Sequence, residues 1–94
     1  AAEILQVNSS NSVLVGDQNR TLSIKLLCVE INENNETIAI DLLKKEFPRG
    51  TKVKIRPFGF QDDALIAKVF NLNETKEMTD LLTSKGLTNE KCRN

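Results

Sequence analysis

One stretch of this sequence, Thr21 to Ile31, limits the possible folds more than any other. It is dominated by aliphatic and β-branched side chains, which are Leu22, Ile24, Leu26, Leu27, Val29 and Ile31. Such a run is typical of a β-strand. Because a strand of this length can curl around a small barrel and pair in two parts of its sheet, we expect it to form part of a small barrel.

Two shorter strands are predicted before this run. Residues Glu3 to Val7 alternate in hydrophobicity, and Val13 to Val15 follow a polar segment, residues 8–12, that has the composition of a turn. Gly16 to Asn19 then predict the tight turn of a hairpin, because glycine, aspartate and asparagine tolerate positive φ.

After residue 35 the hydrophobic period changes to that of a helix. Apolar residues recur at three- and four-residue spacings, and they are Ile38, Ala39, Leu42, Leu43 and Phe47. Asn35 or Thr37 is the predicted N-cap, and Glu36 suits the positive end of the helix dipole. Residues 48–50, with the sequence Pro-Arg-Gly, end the helix.

The rest of the chain predicts two further strands and a second helix. Lys52 to Arg56 alternates cleanly, residues 57–63 are predicted to form a turn, and Ala64 to Phe70 is the last strand. The second helix is predicted from about Thr75 to Lys85, with Gly86 placed to end it.

The predicted order is three strands, a helix, two strands and a helix, in a single domain that spans residues 1–94. Five strands with a helix between the third and the fourth are the arrangement of the OB-fold. We therefore predict a mainly β, five-stranded OB-fold barrel with a second, C-terminal helix. Only four residues are aromatic, all of them phenylalanine, so the core is predicted to be aliphatic.

Composition excludes several classes of function. The sequence has no histidine, which removes serine–histidine and cysteine–histidine mechanisms and the commonest zinc ligand. Lys plus Arg and Asp plus Glu are each 13, so the net charge is zero, and tight binding of nucleic acid through phosphate contacts is disfavoured. No run approaches the roughly 18 apolar residues that a membrane helix needs, so we expect a soluble domain without a membrane span.

Five segments follow one another in an order that a known family shares, and they are Leu22–Glu33, Leu42–Lys45, Gly50–Ile55, Ile66–Phe70 and Leu81–Leu87. They resemble the thermonuclease (staphylococcal nuclease-like) family, in which an arginine opens an apolar run that ends in Asp-x-Pro-Glu. The resemblance implies an OB-fold and a calcium-dependent nuclease site. In that site acidic side chains hold Ca²⁺, two arginines stabilise the developing phosphate charge, and a glutamate helps to activate water.

The resemblance also places degraded remnants of this site on the chain. The catalytic glutamate is retained as Glu33, and Glu30 stands at a metal-binding aspartate. Lys25 occupies the position of one arginine and keeps the positive charge, but a lysine lacks the bidentate fork of arginine. Asn11 replaces the first metal-binding aspartate, and Ala64 replaces the second arginine. Because the loss of one donor of transition-state charge costs about a hundred- to a thousand-fold in rate, we expect no efficient nuclease activity.

The expected function is therefore that of a binding or structural module, with a weak Ca²⁺-dependent phosphodiesterase of DNA or RNA as the alternative. No cofactor is expected. Two interpretations of the acidic residues stay open. Either Glu30 and Glu33 form a residual Ca²⁺ or Mg²⁺ site with the Asn11 carbonyl, or both carboxylates are simply solvated at the end of a strand.

The partner is expected to be a macromolecule that the sequence does not identify. The sequence contains a basic stretch that consists of Lys44, Lys45, Arg49, Lys52, Lys54 and Arg56. Either these cations contact nucleic acid or an acidic partner, or they form a solvated face. Phe58 and Phe60 are the only candidates for a platform on which bases stack, and we expect them to form a lid over the core instead. A protein partner is therefore favoured over nucleic acid, and the domain is expected to be a monomer.

The sequence contains two cysteines, Cys28 and Cys92, which are too few for a zinc ribbon. The resemblance brings the chain after the second helix back beside the long strand, which implies a Cys28–Cys92 disulfide if the protein is exported. The Ala1-Ala2 start is what remains after cleavage by a signal peptidase, and it points to an exported, periplasmic or lumenal protein. A cloned fragment would begin in the same way, and both interpretations stay open.

Overall fold

The computed structural model describes residues 2–88, in which five strands close into a barrel. The strands are β1 (Ala2–Ser9), β2 (Ser12–Asp17), β3 (Arg20–Leu26), β4 (Lys52–Gln61) and β5 (Ala64–Asn71). The helices are α1 (Glu36–Glu46) and α2 (Met78–Ser84), and a short 3-10 helix, Glu33–Asn35, directly precedes α1. The spatial order β1-β2-β3-β5-β4, with α1 between β3 and β4, is the OB-fold, so the predicted fold class is confirmed.

The barrel closes through one parallel and four antiparallel strand pairs. β1, β2 and β3 form an antiparallel meander, in which Gln18 and Asn19 make the second turn with φ of 49° and 67°. β3 pairs in parallel with β5, so that Lys25 lies opposite Ile66. β4 pairs with β5 between Val53 and Gln61, and its first two residues pair with the start of β1.

The long strand predicted over Thr21–Ile31 is shorter in the structure, because β3 ends at Leu26. Cys28 adopts a left-handed φ of 64°, which turns the chain out of the sheet. Leu27 still donates its N–H to the Ala67 carbonyl at 3.1 Å, and Ile31 forms an isolated bridge with Thr88. The apolar residues after Leu26 therefore reach the core from a separate segment, which a hydrophobic pattern alone does not distinguish from a continuous strand.

The turn predicted over residues 57–63 is also wrong for most of its length, because β4 continues to Gln61. Pro57 lies opposite Ala67, and the register shifts between Pro57 and Gly59, so Phe58 is an extra, bulged residue. Proline is tolerated in a strand at such a bulge, where its missing N–H leaves no gap in a regular ladder. The turn itself is reduced to residues 62–63.

The core is largely aliphatic, as predicted. The strands contribute Ala2, Ile4, Val7, Val13, Val15, Ile24, Leu26, Val53, Ala67 and Val69, and the helices contribute Ala39, Leu43, Met78 and Leu82. Phe47, at the C-terminal end of α1, is the one phenylalanine among these buried residues. Since each large apolar side chain stabilises the fold by about 1.5–3 kcal/mol when fully buried, both helices are held to the barrel by these contacts.

The two helices end largely as predicted, and α2 begins about three residues later than predicted, at Met78. Gly86, with φ of 70°, follows the C-cap of α2, which confirms its predicted role. At the start of α2 the buried Glu77 is the N-cap and accepts hydrogen bonds from the N–H groups of Thr79 and Asp80. α1 begins directly after Asn35, which occupies the N-cap position as one of the two predicted residues, although its side chain makes no cap hydrogen bond. Within residues 2–88, no helix has the length and apolar character needed to cross a membrane.

Candidate functional site

The positions implied by the thermonuclease resemblance lie on the β1–β2 turn, β3, the segment after it and the β4–β5 hairpin. Asn11 lies in the β1–β2 turn, where its carbonyl oxygen accepts the N–H of Leu26 at 2.8 Å. Its side-chain oxygen accepts the hydroxyl of Ser9 at 2.9 Å. The polar groups of Asn11 thus hold the turn against the end of β3.

The side chain of Lys25 links β3 to the β4–β5 hairpin. It is exposed on β3, and its Nζ donates to Oε1 of Gln61 at 3.2 Å. Gln61 is paired with Ala64 across the end of the β4–β5 hairpin. The structure therefore brings Lys25 to the hairpin that carries Ala64, and the alanine offers no hydrogen-bond donor beyond its backbone.

The two glutamates lie apart from this hairpin along the chain. Glu30 is exposed, and its backbone is held by Thr88, whose hydroxyl accepts the Glu30 N–H at 2.9 Å and donates to the Glu30 carbonyl at 2.7 Å. Glu33 is exposed at the first position of the 3-10 helix. Within the described residues, no group of three or more acidic or cysteine side chains is placed to hold a metal ion.

A contact that the sequence did not reveal joins α1 to the β1–β2 turn. The Glu36 carboxylate accepts hydrogen bonds from the backbone N–H and the hydroxyl of Ser10. The side-chain hydrogen bond, followed by the backbone one, lowers the pKa of Glu36. The acidic residue at a helix start was visible in the sequence, but nothing there indicated its partner in a turn distant along the chain.

Phe58 and Phe60 are 53% and 75% exposed, so the expectation that they form a lid over the core is wrong. Phe58 is the bulged residue, and Phe60 follows Gly59 near the end of the hairpin, opposite Leu65. Neither ring is a member of the buried core. The alternate positions of the two phenylalanines are a signal for a continued strand. Pro57 and Gly59 favour a turn, however, and the sequence-based prediction of a turn followed from them.

Three cations lie on β3, β4 and β5 at register positions near the two phenylalanines. Lys25 lies opposite Ile66, Lys68 lies two residues further along β5, and Arg56 lies directly opposite Lys68. Ion pairs within residues 2–88 join Lys52 to Glu3, Lys54 to Glu74 and Lys76 to Glu46. None of them involves these three cations. We call Lys25, Arg56, Phe58, Phe60 and Lys68 the β4 patch.

Like charges directly opposite each other in a sheet are destabilising, so the Arg56–Lys68 pair is not explained by the stability of the barrel. Exposed aromatic rings beside cations are typical of a contact surface. The β4 patch is therefore the best candidate for a functional surface among the described residues.

No protein-family model matches this chain, and no curated protein matches its sequence. The class that the strand order defines is a small OB-fold barrel. The thermonuclease resemblance stays a hypothesis from the sequence motifs. Cys28 lies in the turn after β3, and Cys92 lies outside the described residues, so the Cys28–Cys92 disulfide also stays a prediction.

Proposed function

We propose that this domain is a binding module without efficient nuclease activity, which contacts an acidic surface of a protein partner through the β4 patch. The observation that carries the proposal is the exposure of Phe58 and Phe60, at 53% and 75%, on a strand that carries or pairs beside three cations without an ion pair in the described chain.

The aromatic rings supply the larger part of the expected affinity. Burying a phenylalanine side chain contributes about 1.5–3 kcal/mol relative to leaving it exposed. Aromatic residues and arginine are enriched at the centres of protein interfaces. Phe58 and Phe60, with Arg56 two residues before Phe58, have this composition.

The cations favour a partner of opposite charge. A carboxylate between Arg56 and Lys68 would relieve the repulsion of the two directly opposed cations. Nucleic acid is a weaker candidate because the whole chain has no net positive charge, whereas binding through phosphates normally requires one.

The implied catalytic positions support the loss of efficient nuclease activity. Ala64 has no side-chain donor, and Lys25 is hydrogen-bonded to Gln61. Asn11 uses its amide oxygen to accept the Ser9 hydroxyl. Ala64 and Asn11 therefore lack the guanidinium and the carboxylate that the family's site uses, and Lys25 lacks the bidentate fork of arginine.

The test is a capture experiment from nuclease-treated extract of the source cell with the tagged domain. We expect a partner to be retained by the wild type and lost by the Phe58→Ala, Phe60→Ala double variant. A matched control is Ile38→Ala, Leu72→Ala, which removes two other exposed apolar side chains, 57% and 48% exposed, outside the β4 patch. Equal loss in the control, or equal retention in the patch variant, contradicts the proposal.

A second candidate function is binding of single-stranded nucleic acid, because exposed aromatic rings beside cations also suit stacked bases. Lys52 and Lys54, two cations of the basic stretch, are both paired with glutamates in the structure. The candidate is therefore tested by the anisotropy of labelled oligothymidylate with the Arg56→Gln, Lys68→Gln variant. Salt-sensitive binding that this variant weakens would favour nucleic acid over an acidic protein.

The alternative of a weak metal-dependent phosphodiesterase rests on Glu33 and Glu30. Digestion of single-stranded DNA and RNA with Ca²⁺, with Mg²⁺ and with chelator tests it. We expect no chelator-sensitive cleavage by the wild type. Cleavage that disappears in Glu33→Gln, while Asp41→Asn on α1 leaves it unchanged, would establish the enzyme instead.

A further inference from the structure

A second surface lies between β1 and the C-terminal end of α1 and shares no residue with the β4 patch. It is a cleft of about 420 Å³, within the usual range for small-molecule sites. One wall consists of four consecutive residues of β1, Ile4–Val7, and the other is formed by residues at the end of α1 and just after it.

The floor of the cleft is apolar. Ile4, Val7 and Phe47 are buried beneath it, and Leu5 and Pro48 line its sides. The ladder that joins β1 to the segment after α1 stops at Ile4, which accepts the N–H of Gly50 and donates to the carbonyl of Thr51. Beyond Ile4 that side of β1 therefore borders the cleft.

The rim of the cleft is cationic. Lys44 and Arg49 line it, and no acidic residue does. The ion pairs within residues 2–88 leave both of these cations out. An apolar floor with two cations at the rim is complementary to a molecule that has a hydrocarbon body and one anionic group.

The shape of β1 favours a compact ligand over an added peptide strand. The register of β1 shifts between Ile4 and Gln6 and again between Val7 and Ser9. Such bulges bend a strand edge and interrupt its ladder, which disfavours the pairing of another strand there. The cleft thus suits a small molecule better than an extended peptide.

We propose that this cleft binds a small amphiphilic carboxylate, with the hydrocarbon body over Ile4, Val7 and Phe47 and the carboxylate between Lys44 and Arg49. The site is independent of the β4 patch and of the proposed function. Both cations are exposed, so each ion pair contributes modestly, and burial of the ligand's own hydrocarbon body supplies most of the affinity.

Titration with octanoate, followed by amide shifts in NMR spectra, tests the proposal. We expect saturable shifts centred on residues 4–7 and 44–49. Octanol and octylamine are the matched probes, and both should bind more weakly because they lack the carboxylate. Lys44→Gln with Arg49→Gln should weaken octanoate by about two- to thirty-fold, which corresponds to two exposed ion pairs.

Lys45→Gln is the control variant, because Lys45 is an exposed cation on the same helix that does not line the cleft. It should leave octanoate binding unchanged, as should the Phe58→Ala, Phe60→Ala variant. Absence of saturable shifts, shifts centred elsewhere, octylamine binding as tightly as octanoate, or an equal effect of Lys45→Gln would each overturn the proposal. None of these outcomes bears on the β4 patch.

Discussion

Each carboxylate oxygen of Glu36 accepts one hydrogen bond from Ser10, from the backbone N–H at 2.9 Å and from the hydroxyl at 2.5 Å. Ser10 is only 4% exposed, although it lies in a turn. The contact fixes the first turn of α1 against the β1–β2 turn. It therefore joins the start of the helix to the meander that forms three of the five barrel strands.

Replacing Glu36 with glutamine is expected to lower the free energy of unfolding by about 1–3 kcal/mol at neutral pH, because hydrogen bonds to a charged acceptor are lost. Urea unfolding measures the change. Ser10→Ala should have an effect of similar size, and the double variant should cost less than the sum of the two. Fully additive effects would contradict a direct Ser10–Glu36 interaction.

The same pair predicts a pH dependence. The hydrogen bonds from Ser10 lower the pKa of Glu36 in the folded state, so its stabilising contribution is fully present above the unfolded-state pKa. That contribution is lost as the pH falls through the folded-state pKa. Urea unfolding of the wild type and of Glu36→Gln should therefore converge in acid. A difference in unfolding free energy that stays constant with pH would contradict this.

The cap of α2 predicts a second stability effect. Glu77 is 4% exposed and accepts the N–H groups of Thr79 and Asp80 at 2.8 and 3.0 Å. Glu77→Ala should lower the free energy of unfolding by about 0.5–2 kcal/mol, the usual cost of a lost N-cap. Glu74→Ala, at an exposed position before the cap, is the control and should change stability little.

The attachment of α2 to the core predicts a larger effect. Leu82 is fully buried, so Leu82→Ala should cost about 2–5 kcal/mol in thermal or urea unfolding. Leu72→Ala removes the same atoms from a side chain that is 48% exposed and should cost much less. Similar losses in the two variants would mean that α2 does not pack as described.

The predicted Cys28–Cys92 disulfide can be tested by counting thiols. Under denaturing conditions without reductant we expect no reactive thiol, and two after reduction. The closed loop should raise the unfolding free energy by roughly 3–5 kcal/mol relative to the reduced protein, because it restricts the unfolded chain. Two reactive thiols in the unreduced protein would show that the bond is absent.

The order of strands and helices along the chain could be predicted because each element has its own local hydrophobic pattern. The period of two in β4 and β5 and the period of 3.6 in α1 are each encoded within one element. The order of these elements then allowed only a few topologies. The closed OB-fold barrel could therefore be predicted from the sequence.

The errors arose where contacts distant along the chain decide the conformation. Cys28 turns out of the sheet while Thr79 donates its hydroxyl to the Leu27 carbonyl at 3.1 Å, and no local pattern encodes that hydrogen bond. The local sequence predicts Pro57 as a turn residue, but the β4–β5 register accommodates it beside a bulge. The exposure of Phe58 and Phe60 followed from the same bulge and could not be foreseen.

The candidate site was predictable only in its residue types. Sequence motifs placed Lys25 and Ala64 at related positions, and Gln61 joins them in the structure. The opposition of Arg56 and Lys68 depends on the β4–β5 register, which the predicted seven-residue turn would have changed.

The parallel pairing of β3 with β5 has a consequence for how this protein is made. The β1–β2–β3 meander emerges first from the ribosome and pairs through short hairpins, but its partner β5 follows only after α1 and β4. Until then Ile24 and Leu26 have no barrel wall against them on that flank. Such non-local closure is slow, on the order of milliseconds to seconds for β-rich domains. Until β5 is synthesised, the nascent β1–β2–β3 meander therefore has an unpaired apolar edge, the kind of surface that promotes aggregation and chaperone binding.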